Sequence, residues 1–293
     1  MLPGILHYTC LRLIPSIATA ILSFTDVSGL PGQPVNFIGF DNYREFFILQ
    51  NTRDLIETLQ RTGIWGLVVT ITQNIFALWF ALLLNEKFVK GRNVYRAVIF
   101  MPVILGVTIV ATMWKLMLAI PSGLIFKFML DFLHVARPPA MLNSHTWAFP
   151  SVIFVQVWMH TGYTMLIYLA GLQGIPNEVY EAASIDGASE WQSFWHVTLP
   201  LLWPIVIVNV LICIIGALQT FELIMVLTQG QYHSSTLGME VFTTAFGGRD
   251  SSGSKTMGLR QGYAAAQSMV LFVVVFVVTF VSQKTMSRME QEQ

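Results

Sequence analysis

The sequence predicts an all-α polytopic membrane protein with six transmembrane helices, and three observations carry that prediction. Of 293 residues, 54% are hydrophobic and only 11% charged, where a soluble domain carries about 25% charged residues. Apolar runs of roughly 20 residues, the length that crosses a bilayer core, occur at 2–24, 62–84, 97–118, 148–171, 201–227 and 262–282. Lipid offers the backbone no hydrogen-bond partner, so segments that cross it without forming a barrel must be helices.

The first run is interrupted by Arg12, and almost nothing precedes it. A cleaved signal peptide is a rival reading of that end, disfavoured by the length of the run and the lack of a small-residue cleavage site; a start codon placed too late, clipping a basic tail, is another. The last run, "GYAAAQSMVLFVVVFVVTFVSQ", is the plainest. Breaks between runs carry ordinary punctuation: "GLPGQP" at 29–34, "RPP" at 137–139 and "GGRDSSGS" at 247–254. The longest connections, 25–61 and 228–261, are too short for a separate soluble domain, so one transmembrane domain over 1–293 is expected. Cys10 and Cys213 fall inside apolar runs and read as buried packing residues rather than a disulfide.

Orientation follows from charge. Segment 85–96 holds Lys87, Lys90, Arg92 and Arg96 against Glu86, whereas 25–61 holds three arginines against five acids. Short loops rich in Lys and Arg stay in the cytoplasm, so 85–96 is placed inside. With six spans, parity puts both termini and the 173–200 connection inside as well. Sixteen basic residues balance sixteen acidic ones, with no basic patch, which excludes nucleic acid as an expected partner.

The 173–200 connection departs from the charge rule. Residues 178–202, "EVYEAASIDGASEWQSFWHVTLPLL", carry Glu178, Glu181, Asp186 and Glu190 with no Lys or Arg. Pro176 and Asn177 start a helix, Gly187 supplies a residue able to take positive φ, and "SEWQ" at 189–192 is a capping box that opens a second helix. That helix presents Trp191, Phe194 and Trp195 and is expected to break at Pro200. The predicted unit is a helix–bend–helix hairpin over 177–199. Helices that lie on lipid favour basic residues on the polar face; this acidic face suits a basic groove on a protein partner.

At these residues the sequence resembles the EAA loop of ABC-importer permeases, through Glu181-Ala182-Ala183, Gly187 and Leu199-Pro200. The likeness covers nearly the whole chain and points to the carbohydrate-uptake permeases of the maltose and glycerol-phosphate type. It runs through "SFTD" (23–26), "FIGFDNYREFF" (37–47), "ALLLNEKFVKGRNVYRAVIFMP" (81–102), "LAGLQGIPNEVYEAA" (169–183) and "FELIMVLTQG" (221–230). Two departures stand out: "TQGQY" replaces the family's usual "GGP" after "LT", and Glu222 stands where the family usually carries Asp.

The resemblance implies a cytoplasmic coupling helix that sits in a cleft of a separate ATPase subunit. Glu181, Ala182, Ala183, Asp186 and Gly187 form its contact region, with Glu181 paired to a basic residue of the ATPase. It implies a second homologous permease subunit, two ATP-binding cassette subunits and an extracytoplasmic solute-binding protein. It places the chain in a bacterial or archaeal cytoplasmic membrane, surrounded by lipid, carrying a sugar or oligosaccharide. The chain itself would hold no cofactor and catalyse nothing; ATP-Mg belongs to the partner ATPase. The nearest thing to a phosphate loop, "GRDSSGSKT" at 248–256, misses the pattern by the inserted Ser254.

Polar residues inside spans are costly and mark candidate pathways. Gln156, His160 and Tyr163 fall at i, i+4 and i+7 on one helical face, and the resemblance aligns them with sugar-contacting positions. Asn209, Cys213, Gly216 and Thr220 make a second stripe, with Gln219 and Glu222 beside it. Gln219 and Thr220 stand open between path and helix packing. Glu222 stands open between hydration, pairing with Arg260 or another base, and the path. Thr70, Gln73 and Asn74 read as helix–helix hydrogen bonding. No second His or Cys sits at ligand spacing from His160, so no metal is expected. A permease for glycerol phosphate or a polyamine is the rival solute reading. A phosphate would want basic residues in the path, and the runs offer only Arg12 and Lys115. A stand-alone secondary transporter would show internal repeats and a charged midplane, and neither is visible.

Overall fold

The computed structural model describes residues 2–49, 52–86, 89–249 and 256–291. Lys87 of the basic loop and positions 250–255 of the near-phosphate-loop segment lie outside the described residues. Helices dominate. Strand pairing among the described residues is limited to an isolated bridge between Thr25 and Phe37 and a two-residue antiparallel ladder of Gly248–Arg249 with Thr256–Met257.

Among the described residues, five helices are long and apolar enough to cross a membrane. They are α1 (Pro3–Leu22), α2 (helical over Thr52–Asn85), α5 (Ala148–Gln173), α7 (Glu190–Gln219) and α10 (helical over Gln261–Gln291). A further apolar pair, α3 (Arg92–Ile104) and α4 (Val107–Met117), passes the same test only when taken together, and it is bent by 96°. Between the long helices lie α6 (Asn177–Ile185), α8 (Glu222–Leu227) and α9 (Leu237–Phe246).

Two expected spans and one expected helix break are therefore corrected. Run 97–118 is not one straight helix: Leu105 takes an extended conformation and Gly106 restarts the chain as α4. Pro102 removes the backbone N–H that would have bonded Val98, which weakens α3 ahead of the break. Run 201–227 stops at Gln219 and resumes at Glu222. The carbonyl of Ala217, which Phe221 N–H would claim in a continuous helix, instead accepts from the Trp65 indole at 2.9 Å. Gly238 packs against the carbonyls of Thr220 and Gln219, and Phe221 stacks on Phe242 of α9 at 4.9 Å. Pro200, the expected break, is instead absorbed into α7. A wide turn over Phe194–Thr198 precedes it, closed by Leu199 N–H to Phe194 C=O, and such a π-bulge re-aims the bonds around a proline.

The chain divides into two compact units. The first comprises Met1–Ile64, Lys115–Val152 and Leu218–Phe276. Its apolar centre is Phe46, Leu55, Leu237 and Tyr263. The chain leaving α1 is fixed by buried Asn42, whose Nδ2 donates to the carbonyls of both Ser23 and Thr25 at 2.9 Å. Gly262, at the start of α10, lies so close to the Thr25 carbonyl that a Cβ there would collide with it; its N–H bonds Val27 C=O at 2.8 Å. Arg260 makes a two-pronged ion pair with Glu45, both contacts 2.6 Å, and lies 4.5 Å over the Tyr263 ring.

The second unit comprises Trp65–Trp114, Ile153–Ala217 and Val277–Gln293. Ala77 and Ala81 of α2 pack on Met165, Tyr168 and Leu172 of α5 and on Leu202 of α7. Small residues let backbones approach where lipid supplies no hydrophobic drive between helices; Gly162 of α5 lies against the Ile99 carbonyl, with no room for a Cβ. A buried polar seam joins the three long helices. Gln73 of α2 donates to Thr164 Oγ1 at 2.7 Å and to Cys213 Sγ at 3.2 Å, Tyr168 OH donates to Asn74 Oδ1 at 2.6 Å, and Asn209 Nδ2 reaches Thr164 C=O at 3.5 Å. Cys213 is buried as expected. Cys10 is exposed, because no described residue of the chain covers α1.

Replacing Asn42 with Ala strands two carbonyls and should cost about 1–3 kcal/mol. The thermal unfolding midpoint of the detergent-solubilised chain should fall; an unchanged midpoint would show that Asn42 does not fix the chain leaving α1.

Candidate functional site

The 177–199 hairpin is built from local rules. α6 begins after Pro176, which is extended at φ −61°, ψ 137°. Ala and Glu are good helix formers, and Glu178 in the first turn suits the helix dipole. The helix closes in a Schellman pattern: Ala188 N–H bonds Ala183 C=O at 3.0 Å and Gly187 N–H bonds Ser184 C=O at 3.1 Å. Gly187 takes φ +80°, which a side chain resists. α7 opens on a complete capping box, with Gln192 N–H donating to Ser189 Oγ at 3.3 Å and Ser189 N–H to Gln192 Oε1 at 2.9 Å. Thr198 Oγ1 donates to Tyr180 OH at 3.3 Å and ties the arms together.

The hairpin's surface is unusual for a membrane protein. Glu178, Glu181, Asp186 and Glu190 are all exposed. Apolar residues stand beside them: Ile185 is 86% exposed and Trp191 70%, with Trp191, Phe194 and Trp195 in mutual ring contact at 5.2–6.1 Å. A hollow at the bend is lined by Asp186, Gly187, Ala188, Gln192 and His196. Exposed carboxylates and an exposed aromatic group on one hairpin have the chemistry of a docking face for a cationic protein surface.

The candidate path residues divide between the units. Gln156, His160 and Tyr163 lie on one face of α5 in the second. Gln156 is 5% exposed and Tyr163 44%. His160 holds Nδ1 3.1 Å from the Gln156 carbonyl; a carbonyl only accepts, so Nδ1 carries the hydrogen and a neutral ring keeps Nε2 as an acceptor. The same face continues through Ile167, Ala170 and Gly174 into a groove closed by Leu201 and Ile205. Gln219 is exposed at the last turn of α7, and Thr220 is half-buried at the break beyond it; both belong to the first unit. Thr70, Gln73 and Asn74 are buried, and the last two hydrogen-bond other helices, which is the packing role read from the sequence. Glu222 is exposed, and Arg260 is paired with Glu45 rather than with it. The Arg260 guanidinium holds the Glu45 carboxyl below its ordinary range.

Sequence reasoning passed over two anchors. The Lys115 ammonium donates to the Val226 carbonyl at 2.9 Å, at the end of α8, and the Trp65 indole holds the α7 end. A lone Lys within an apolar run was the available signal for the first; nothing in the sequence singles out Trp65.

Residues 61–289 match the family model described as "Binding-protein-dependent transport system inner membrane component". The chain is 32% identical over 285 residues to the arabinooligosaccharides transport system permease protein of Bacillus subtilis (strain 168), covering 96% of this chain and 85% of that one. It is 34% identical over 273 residues to the trehalose/maltose transport system permease protein of Thermococcus litoralis, covering 93% and 87%. Among solved structures, a chain of a bacterial ABC transporter involved in import of the acidic polysaccharide alginate matches with TM-score 0.80 and 24% identity, over 98% of this chain and 93% of that one. A second structure of a bacterial alginate ABC transporter, in complex with a periplasmic protein carrying an alginate pentasaccharide, matches with TM-score 0.81 and 23% identity, over 99% and 93%.

Replacing Ser189 with Ala removes the cap and should cost the second arm about 1 kcal/mol. Backbone amides of 190–193 should then exchange with deuterium several-fold faster, while those of α5 stay unchanged.

Proposed function

The chain belongs to the family of binding-protein-dependent transport system inner membrane components, and from that premise we propose that it carries a neutral oligosaccharide inward by ATP-driven alternating access. It is a multi-pass permease subunit of an ABC importer, and in such systems ATP hydrolysis belongs to separate subunits. Counting the bent pair α3–α4 as one crossing gives six spans, with both termini and the hairpin in the cytoplasm.

The observation that carries the mechanism is the hairpin, with its four exposed carboxylates, no Lys or Arg, and a bend held by Gly187. We assign Glu181, Ala182, Ala183, Asp186 and Gly187 to the cleft of an ATPase subunit, with Glu181 meeting a basic residue there. α7 runs without a break from the capping box at Ser189 through Gln219, so a push on the hairpin is delivered directly to a membrane-crossing helix. Two ATPases closing would drive this hairpin and that of a second, homologous permease together. An extracytoplasmic binding protein would dock on 25–61, 119–147 and 228–261. Gln156, His160, Tyr163, Gln219 and Thr220 would meet the sugar. They offer hydrogen-bonding groups and one phenol ring, which suit hydroxyls and a sugar face.

Neutral cargo is supported by how few cations the apolar runs hold. There are two: Lys115, whose ammonium donates to the Val226 carbonyl, and Arg12 on α1. A phosphate or uronate would have to be stripped of water with little more than these to receive it. The permeases of Bacillus subtilis and Thermococcus litoralis cited above are named for neutral sugars, which supports the same reading, while the alginate transporters resembled at 24% and 23% identity bear on the fold and not on the cargo.

Two measurements test this. In the reconstituted importer, Glu181→Lys places like charges together in the cleft at a cost of about 3–5 kcal/mol. Uptake should fall by two orders of magnitude or more with membrane insertion unchanged; normal uptake would reject the coupling assignment. With wild-type protein, neutral oligosaccharides should stimulate ATP hydrolysis through the binding protein, and uronate oligosaccharides should not. The reverse order would overturn the cargo class.

A further inference from the structure

Inside the first unit, the turn at 228–236 is strained. Gln229, Tyr232 and His233 take φ of 57°, 57° and 58°, a left-handed conformation that residues with a side chain rarely hold unless their surroundings impose it. The base of the turn is fixed by Thr228 and Ser234, whose hydroxyls lie 2.6 Å apart. On its far side, Arg61 Nη1 of α2 lies 3.0 Å from His233 Nδ1. A guanidinium has only hydrogens to give, so His233 Nδ1 must be a bare acceptor and the ring neutral.

We propose that Arg61 and His233 form a proton-operated clasp, which holds the 228–236 turn on α2 while His233 is neutral and releases it on protonation. Protonated imidazole presents N–H to the guanidinium, so the hydrogen bond is lost and two cations face each other. The charged and titratable groups around His233 are few. Arg61 and Glu57 come from α2, with Arg61 3.7 Å from Glu57. His145 comes from the turn before α5, its ring 4.7 Å from His233 and 5.7 Å from Tyr232. Thr58 Oγ1 links α2 to Glu240 of α9 at 2.5 Å, and Arg61 Nη2 lies 3.5 Å from the same hydroxyl. Burial, then Arg61 and His145, push His233 below its ordinary value against a weaker pull from Glu57. A lowered value means that folding favours the neutral ring. The clasp is therefore intact above the ordinary histidine range and lost as pH falls through and below it.

Glu240 works in the opposite direction. Burial pushes its carboxyl up to about 7, so acidification relieves a buried charge and tightens α9 on α2. The sign of the response separates the two groups. Release at acid pH belongs to His233, and tightening belongs to Glu240. That the turn faces the outside of the cell rests on the function proposed above; the clasp itself does not.

The test is deuterium exchange of the full chain in lipid nanodiscs at pH 7.5 and 5.5, corrected for the intrinsic pH dependence of amide exchange. Amides of 229–236 should open about tenfold more at pH 5.5, as expected for loss of a local restraint. His233→Gln keeps an acceptor oxygen and cannot titrate, so its exchange should not change with pH; His233→Asn serves if that variant fails to fold. Glu240→Gln should retain the acid response. No acceleration in wild type, an acceleration that survives in the His233 variants, or one that vanishes only in Glu240→Gln would each overturn the clasp. None of these readings depends on transport, so loss of the sugar assignment would leave the result standing.

Discussion

The rest of the structure depends on one constraint: inside lipid, a polar group that the protein does not satisfy has nothing else to bond. The seam of Gln73, Asn74, Thr164, Tyr168, Asn209 and Cys213 is what that constraint produces when three helices must share buried polar side chains. Each bond is worth little by itself, because the separated helices also find partners. Its effect is on register. Sliding α2 by one turn would move Gln73 and Asn74 off Thr164 and Tyr168 together, and an apolar contact carries no such penalty.

The same constraint explains why the helices break where they do. Several of the carbonyls freed at interruptions among the described residues are answered by a specific donor. The end of α7 is taken by the Trp65 indole, and the end of α8 by the Lys115 ammonium. Arg96 reaches the Leu84 carbonyl near the end of α2 at 3.1 Å. Pro200 needs no outside donor because the wide turn before it shifts the bonding pattern by one residue. These irregularities mark where the chain changes direction.

What was legible in the sequence follows from this. Run length and polarity are one-dimensional properties, so the apolar helices and the hairpin, with its capping box and its glycine bend, could be read directly. Bends at Leu105 and at Thr220–Phe221 could not, because they depend on which distant donor or ring takes up the freed groups. Glu45 and Arg260 stand 215 positions apart, and only the fold shows that this pair leaves Glu222 without that base. Exposure was legible only in part: Cys10 sits in an apolar run and is still uncovered, since hydrophobicity calls for an apolar neighbour without saying whether it is protein or lipid. Of the candidate site, the face of Gln156, His160 and Tyr163 followed from helical spacing. The tautomer of His160 required the position of a carbonyl.

Turned around, the constraint also separates the two acidic regions of the chain. Glu45 and Glu240 are answered within the protein, by Arg260 and by Thr58, and each holds two segments of the first unit together. The hairpin acids have no Lys or Arg within their own segment, and they share it with exposed Trp191 and Ile185. Lipid does not pair with these acids, since anionic headgroups repel carboxylates. Water satisfies the carboxylates but not the exposed aromatic group of the same hairpin. The coupling contact proposed above, with a protein surface basic at its edge and apolar at its centre, would satisfy both, and α7 would connect it to the membrane.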